Sequence, residues 1–171
     1  MSATLLFESF SNTTVMNVTN PPLLHIPGKL DLVKLAEKGT GYVTLHFQTL
    51  VSPSFDEVKT ITDVVIEFAA SREAPFLLWI EHVGEGDLEF PDMMGMLHIS
   101  GRLLEHRDLV KETLIGTCIQ AKELGGVFMA AKELFLNVYQ PVAPFDVIVG
   151  GDECHAFMSK CRSKYSNRKE K

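Results

Sequence analysis

From Tyr42 onward the order of apolar and polar positions spells out successive elements. "YVTLHFQTL" alternates, with Val43, Leu45 and Phe47 on one side, as a half-buried strand does. Ser54 and Glu57 stand at capping-box spacing, and the helix they open places Phe55, Val58, Ile61, Val65, Phe68 and Ala69 on one stripe. Asp56, Lys59 and Asp63 fall outside it, and Pro75 disfavours helical geometry at Ala74, so the helix ends near "SREAP". "FLLWI", residues 76–80, is an unbroken apolar run, which suits a strand covered on both faces of a sheet containing parallel pairs.

An acidic loop, "GEGDLEFP", leads to Asp92 as the N-cap of a second helix, with Met93, Met96, Leu97, Ser100 and Leu104 on one side. "LIGTCIQA" reads as the next strand. "KELGGVFMAAKELFLNVYQP" holds a third helix with apolar residues at 124, 127, 128, 131, 134, 135 and 138. "FDVIVG" is another short strand. Gly150 and Gly151 make a turn, Asp152 caps, and Cys154, Phe157, Met158, Cys161 and Tyr165 line a terminal helix. The order from residue 42 is therefore β-α-β-α-β-α-β-α. It predicts a single α/β domain with a mixed central sheet and right-handed crossovers.

Residues 1–41 carry weaker patterns. "TLLFESF" and "TVMNV" suit the arms of a hairpin, whereas the prolines of "NPPLLHIPGK" are expected to break regular structure. The expected layout is an N-terminal extension with strands over 1–41, an α/β domain over 42–159 and a basic tail over 160–171.

Composition changes this picture in three ways. With 46% hydrophobic and 22% charged residues, the chain is ordinary for a folded domain. Its net charge of −6 divides into +5 over residues 160–171 and −11 over the rest. An acidic body lacks the basic face that phosphate contacts need, so nucleic acid is not an expected partner, and the basic end reads as a solvated, fraying terminus. Three cysteines without a C-x-x-C spacing read as reduced thiols of a cytoplasmic protein. No apolar run approaches the ~18 residues of a membrane span, so no transmembrane segment is expected.

Chemistry is sparse. Neither G-x-G-x-x-G nor G-x-x-x-x-G-K-[ST] occurs, and acidic residues in "GEGDLEF" would repel a phosphate. The six histidines, at 25, 46, 82, 98, 106 and 155, form no H-x-x-x-H or H-E-x-x-H pair, so no metal or other cofactor is expected. G-x-S-x-G is absent, and Cys118 sits in a buried-looking strand. Glu81 and His82 end the strand at the edge where open α/β sheets place ligands. With Asp92 they form the one acid–base grouping on offer, and they do not by themselves make an enzyme.

Three stretches together resemble the STAS domain, the fold of bacterial anti-sigma-factor antagonists and of the cytoplasmic tail of sulfate transporters. "YVTLHFQTLVSPSFDEVKTI" is similar to its opening strand, loop and capped helix. "FLLWIEHVGEGDLEFPDMMGML" resembles its buried strand and D-S-S-G-L helix start, and "FDVIVGGDECHAFM" its closing strand, turn and helix. The resemblance spans roughly two thirds of the chain. It implies a non-enzymatic regulatory module that binds a partner protein and, in family members, switches when a serine at that helix start is phosphorylated. Asp92 and Gly95 match the ends of D-S-S-G, but Met93 and Met94 hold both serine positions, so the switch is absent there. The docking surface then comprises Glu89, Asp92, Met94, Gly95 and His98, with Met94 the surface methionine and Met93 and Met96 facing the core. A homodimer through residues 1–41 or a sheet edge is also allowed for. The alternative is a small-molecule or lipid-binding α/β domain of CRAL-TRIO-like type, with an apolar pocket lined by Phe128, Met129, Phe135 or their neighbours.

Overall fold

Prolines flank rather than interrupt the first strands of the computed structural model, which describes residues 16–18, 21–37, 39–85, 93–123 and 126–169. The strands are β1 (Met16–Val18), β2 (Leu24–Ile26) and β3 (Leu30–Glu37). Pro21, Pro22 and Pro27 lie just outside β2, so "NPPLLHIPGK" contains a strand where a break was expected. Pro27 and Gly28, with φ of +70° at the glycine, occupy the central positions of the turn into β3, closed by Lys29 N donating to Ile26 O at 3.0 Å. Proline followed by a positive-φ glycine is the type II arrangement. The hairpin partner expected in "TLLFESF" lies outside the described residues. β1 instead pairs antiparallel with β3, as does β2.

β3 pairs antiparallel with β4 (Val43–Thr49). From β4 the sheet continues in parallel through β5 (Phe76–His82), β6 (Leu114–Ala121) and β7 (Phe145–Val149). Its order is β1-β3-β4-β5-β6-β7, with β2 beside β3, giving seven strands among the described residues. The fold is α/β with a mixed sheet, as the element order predicts. The four parallel strands lie in chain order, and right-handed crossovers then carry every connecting helix to the same face. α1 (Phe55–Ser71), α2 (Met93–Glu105), α3 (Arg107–Thr113) and α4 (Gly126–Tyr139) occupy it. Among the described helices, α5 (Gly151–Lys169) is the one on the other face, against Leu77, Trp79, Ile115 and Cys118.

This layering explains where the sequence pattern and the structure differ. β4 is central and buried on both faces: Val43, Leu45 and Phe47 under the helices, Thr44 and His46 on the α5 side. It is therefore not the half-buried strand that its alternation suggests. α2 turns Met96 and Ser100 inward, while Leu97 and Leu104, expected on the same stripe, are exposed. α4 buries Phe135 and Tyr139 and exposes Leu134 and Val138; residues 124, 127, 128 and 131 of its expected stripe lie outside the described side chains. α5 begins at Gly151, so Asp152 lies in its first turn instead of capping it. The helix also continues through the basic segment to Lys169 in place of a frayed end. Cys161 and Tyr165 are buried there, and the Tyr165 hydroxyl donates to Glu112 O at 2.7 Å. Basic residues in the last turns of a helix complement the negative end of its dipole.

Gly116 lets α5 approach β6. A Cβ at that position would stand 2.7 Å from Cys161 Sγ. The thiols of Cys118, Cys154 and Cys161 are free and buried. A hydrogen bond with Cys154 and burial push the Cys118 thiol far above its ordinary range, and burial raises Cys161 to about 11. These are packing residues, not activated thiolates.

Candidate functional site

α2 is apolar on two sides. Met96, Ile99 and Leu103, at i, i+3 and i+7, face the sheet. Met94, Leu97 and Leu104, at i, i+3 and i+10, form a second stripe left 62%, 52% and 43% exposed. A lone helix with two apolar faces could roll, and the polar edge between them prevents it. The Arg102 guanidinium donates to Asp63 of α1 at 3.1 and 3.3 Å and to Glu105 at 2.7 Å. His98 lies beside it, edge-on to the Phe55 ring at 6.0 Å, with Nε2 buried and without a hydrogen-bond partner among the described residues. Three residues expected at a docking surface are thereby located: Met94 is exposed, Gly95 is buried and His98 is half-buried. Glu89, Asp92 and the Met93 side chain lie outside the described residues. Met96 is buried, and so is Ser100, which puts that hydroxyl out of reach of a modifying enzyme.

An enzyme centred on Glu81, His82 and Asp92 would need those groups to converge; Glu81 and His82 do not, and Asp92 lies outside the described residues. Glu81 and His82 are neighbours on β5 and so point to opposite faces. His82 bonds Thr49 Oγ1 through Nδ1 at 3.1 Å on the helix-rich face. Glu81 turns to the α5 face, where register aligns Gln48, Glu81 and Gln120 in one row and His46, Trp79 and Cys118 in the next. His46 Nε2 donates to Glu81 Oε2 at 3.0 Å, Gln48 Nε2 to the same oxygen at 3.1 Å and Gln120 Nε2 to Oε1 at 3.5 Å. The His46 ring stacks on Trp79 at 3.8 Å, and Trp79 Nε1 donates to Gln120 Oε1 at 3.2 Å. The His46 bond first, then Gln48, hold the Glu81 carboxyl below its usual range against the opposing effect of burial. A carboxylate bonded on both oxygens and depressed in pKa is a poor proton acceptor near neutral pH. The grouping ties three parallel strands together. His46 is 35 residues away in sequence, and only strand register reveals the pairing.

Between the sheet and the helices lies a cavity of about 180 Å³. Phe47, Leu78, Ile80 and Ile119 contribute from the sheet, Met96 and Leu103 from α2, and Phe135 and Tyr139 from α4. Among the described residues, no charged side chain lines it. Phe135 is thus at the pocket expected for it, while Met129 is partly exposed and Phe128 lies outside the described side chains. Among the described residues, no group of three or more His, Cys, Asp or Glu side chains is placed to hold a metal ion. No helix among them is long and apolar enough to cross a membrane. Comparison with protein-family models, with curated proteins and with solved structures returns no match to this chain.

Proposed function

We propose that this chain is a non-enzymatic, STAS-like regulatory module that docks a partner protein through the outward stripe of α2. The observation that carries this reading is the exposure of Met94, Leu97 and Leu104 on a helix whose other apolar side is already in the core. Large apolar side chains gathered on one face mark interaction surfaces, and methionine adapts its shape to the surface it meets. In the STAS resemblance, the start of this helix is where partners are exchanged under control of a phosphate. Here Met94 offers apolar contact in place of a charge, so docking does not depend on phosphorylation at that position. Affinity purification from the native source, run in parallel with wild type and Met94→Glu, tests the reading. A protein retained by wild type and lost from a folded Met94→Glu supports it, and equal retention removes this surface from consideration.

A second reading, binding of an apolar small molecule, is favoured by the uncharged cavity beneath the same helix. The two readings use opposite sides of α2.

A further inference from the structure

Thr117 puts a hydroxyl in the middle of an apolar sheet surface. Register sets Leu45, Leu78, Thr117 and Phe145 side by side across β4 to β7, on the face that α1 to α4 cover. Among the described residues, four that carry a hydroxyl line the cavity there: Thr49, Thr62, Thr117 and Tyr139. Thr62 donates to Val58 O at 2.7 Å, and Thr49 bonds His82 Nδ1 at 3.1 Å. The Tyr139 oxygen is enclosed by protein, out of reach of anything held in the cavity. Thr117 is left. It is 9% exposed, and its hydroxyl is neither enclosed nor hydrogen-bonded among the described residues. Valine would fill the same position without desolvating an oxygen, so packing alone does not call for this hydroxyl. A molecule in the cavity that supplies a polar partner gives it a hydrogen bond.

Resting on the second reading above, we propose that the cavity binds a small, neutral, largely apolar molecule of about one substituted ring, whose carbonyl or alcohol group bonds to Thr117. Size follows from volume: an engineered cavity of about 150 Å³ with similar lining binds benzene, and this one is slightly larger at about 180 Å³. Neutrality follows from the lining, because a carboxylate or ammonium here would lose its hydration and meet no opposite charge among the described residues. The polar group follows from the threonine hydroxyl, which both donates and accepts and so is satisfied by a carbonyl or an alcohol. A lone water is a poorer occupant. It needs about two to four polar partners, and the other cavity hydroxyls are bonded or enclosed.

The test titrates the full chain with acetophenone, ethylbenzene and benzoate, following amide shifts of cavity residues such as Leu78 and Ile119 in wild type, Thr117→Val and Tyr139→Phe. Both neutral probes are expected to bind wild type, and benzoate is expected not to enter. Comparing the ratio of acetophenone to ethylbenzene affinity between variants cancels the different hydrophobicity of the two probes. In Thr117→Val this ratio is expected to move about two- to tenfold in favour of ethylbenzene, the worth of one hydrogen bond, and in Tyr139→Phe to stay as in wild type. A ratio unchanged by Thr117→Val, or moved as far by Tyr139→Phe, overturns recognition by Thr117. Benzoate bound as tightly as acetophenone overturns neutrality, and failure of both neutral probes to bind wild type overturns the ligand reading itself. Where Thr117→Val does not fold, nuclear Overhauser contacts between acetophenone and the Thr117 methyl group in wild type decide the placement. Their presence supports it, and their absence from a bound complex overturns it.

Discussion

Glu81 draws together side chains from three strands, and its consequences are local and measurable. Because its folded pKa is depressed, the stability it supplies is present above the ordinary carboxylate value of roughly 4 and is lost as pH falls through the lower folded value. Urea denaturation of wild type should therefore lose stability towards low pH more steeply than that of Glu81→Gln. The two curves should converge at the acid end, where the protonated carboxyl resembles the amide. Parallel curves would show that the His46 and Gln48 bonds contribute nothing to the pH dependence. Gly84 makes a different demand. A Cβ there would lie 1.8 Å from Leu50 O, because the segments following β4 and β5 touch. Gly84→Ala must push backbone against backbone and should lower stability by roughly 1–3 kcal/mol, the usual cost of overpacking. An unchanged urea midpoint would show that the two segments stand further apart.

At the scale of elements, α2 matters most because its two apolar sides have different fates. Met96→Ala should cost roughly 2–5 kcal/mol by opening space in the core, whereas Met94→Ala should stay within about 0.5 kcal/mol of wild type. Equal costs would contradict the assigned rotation of the helix. This rotation is also where the sequence could not decide. The helix itself is legible at "DMMGMLHISG", but Leu97 and Leu104 belong to an apolar arc as regular as that of Met96 and Leu103. Periodicity finds arcs and does not say which one meets the sheet. Signals confined to one segment read well: Ser54 and Glu57 form the full capping box, and "LIGTCIQA" is β6 residue for residue. Signals that depend on register do not, as the pairing of His46 with Glu81 shows. The Pro27-Gly28 turn was readable in principle, since proline before glycine is a hairpin cue as well as a break.

For the whole molecule, the order of the parallel strands shapes what the fold can do. β4, β5, β6 and β7 never reverse direction of advance, so these strands lack the crevice at which doubly wound sheets hold cofactors. At the exits of β5, β6 and β7 an open cleft is lined by Glu81, His82, Gln120 and Lys122, and its carboxylate is already bonded to His46 and Gln48. The one-sided stack of α1 to α4 leaves α2 and α4 with large apolar residues facing outward, Met94 and Leu97 on the first, Leu134 and Val138 on the second. Self-association through a sheet edge has less to work with. The outer edge of β3 is taken by β1 and β2, and on five-residue β7 the Val147 amide already donates to Asp146 Oδ1 at 2.8 Å. The central claim is that the outward side of α2 is a docking surface. It is tested most directly by measuring the amount of each protein co-purifying with wild type and with Met94→Glu, after both show the same urea midpoint. The account predicts that one retained protein falls at least about tenfold with the variant, the equivalent of 1.4 kcal/mol; identical retention of every partner at equal stability would contradict it.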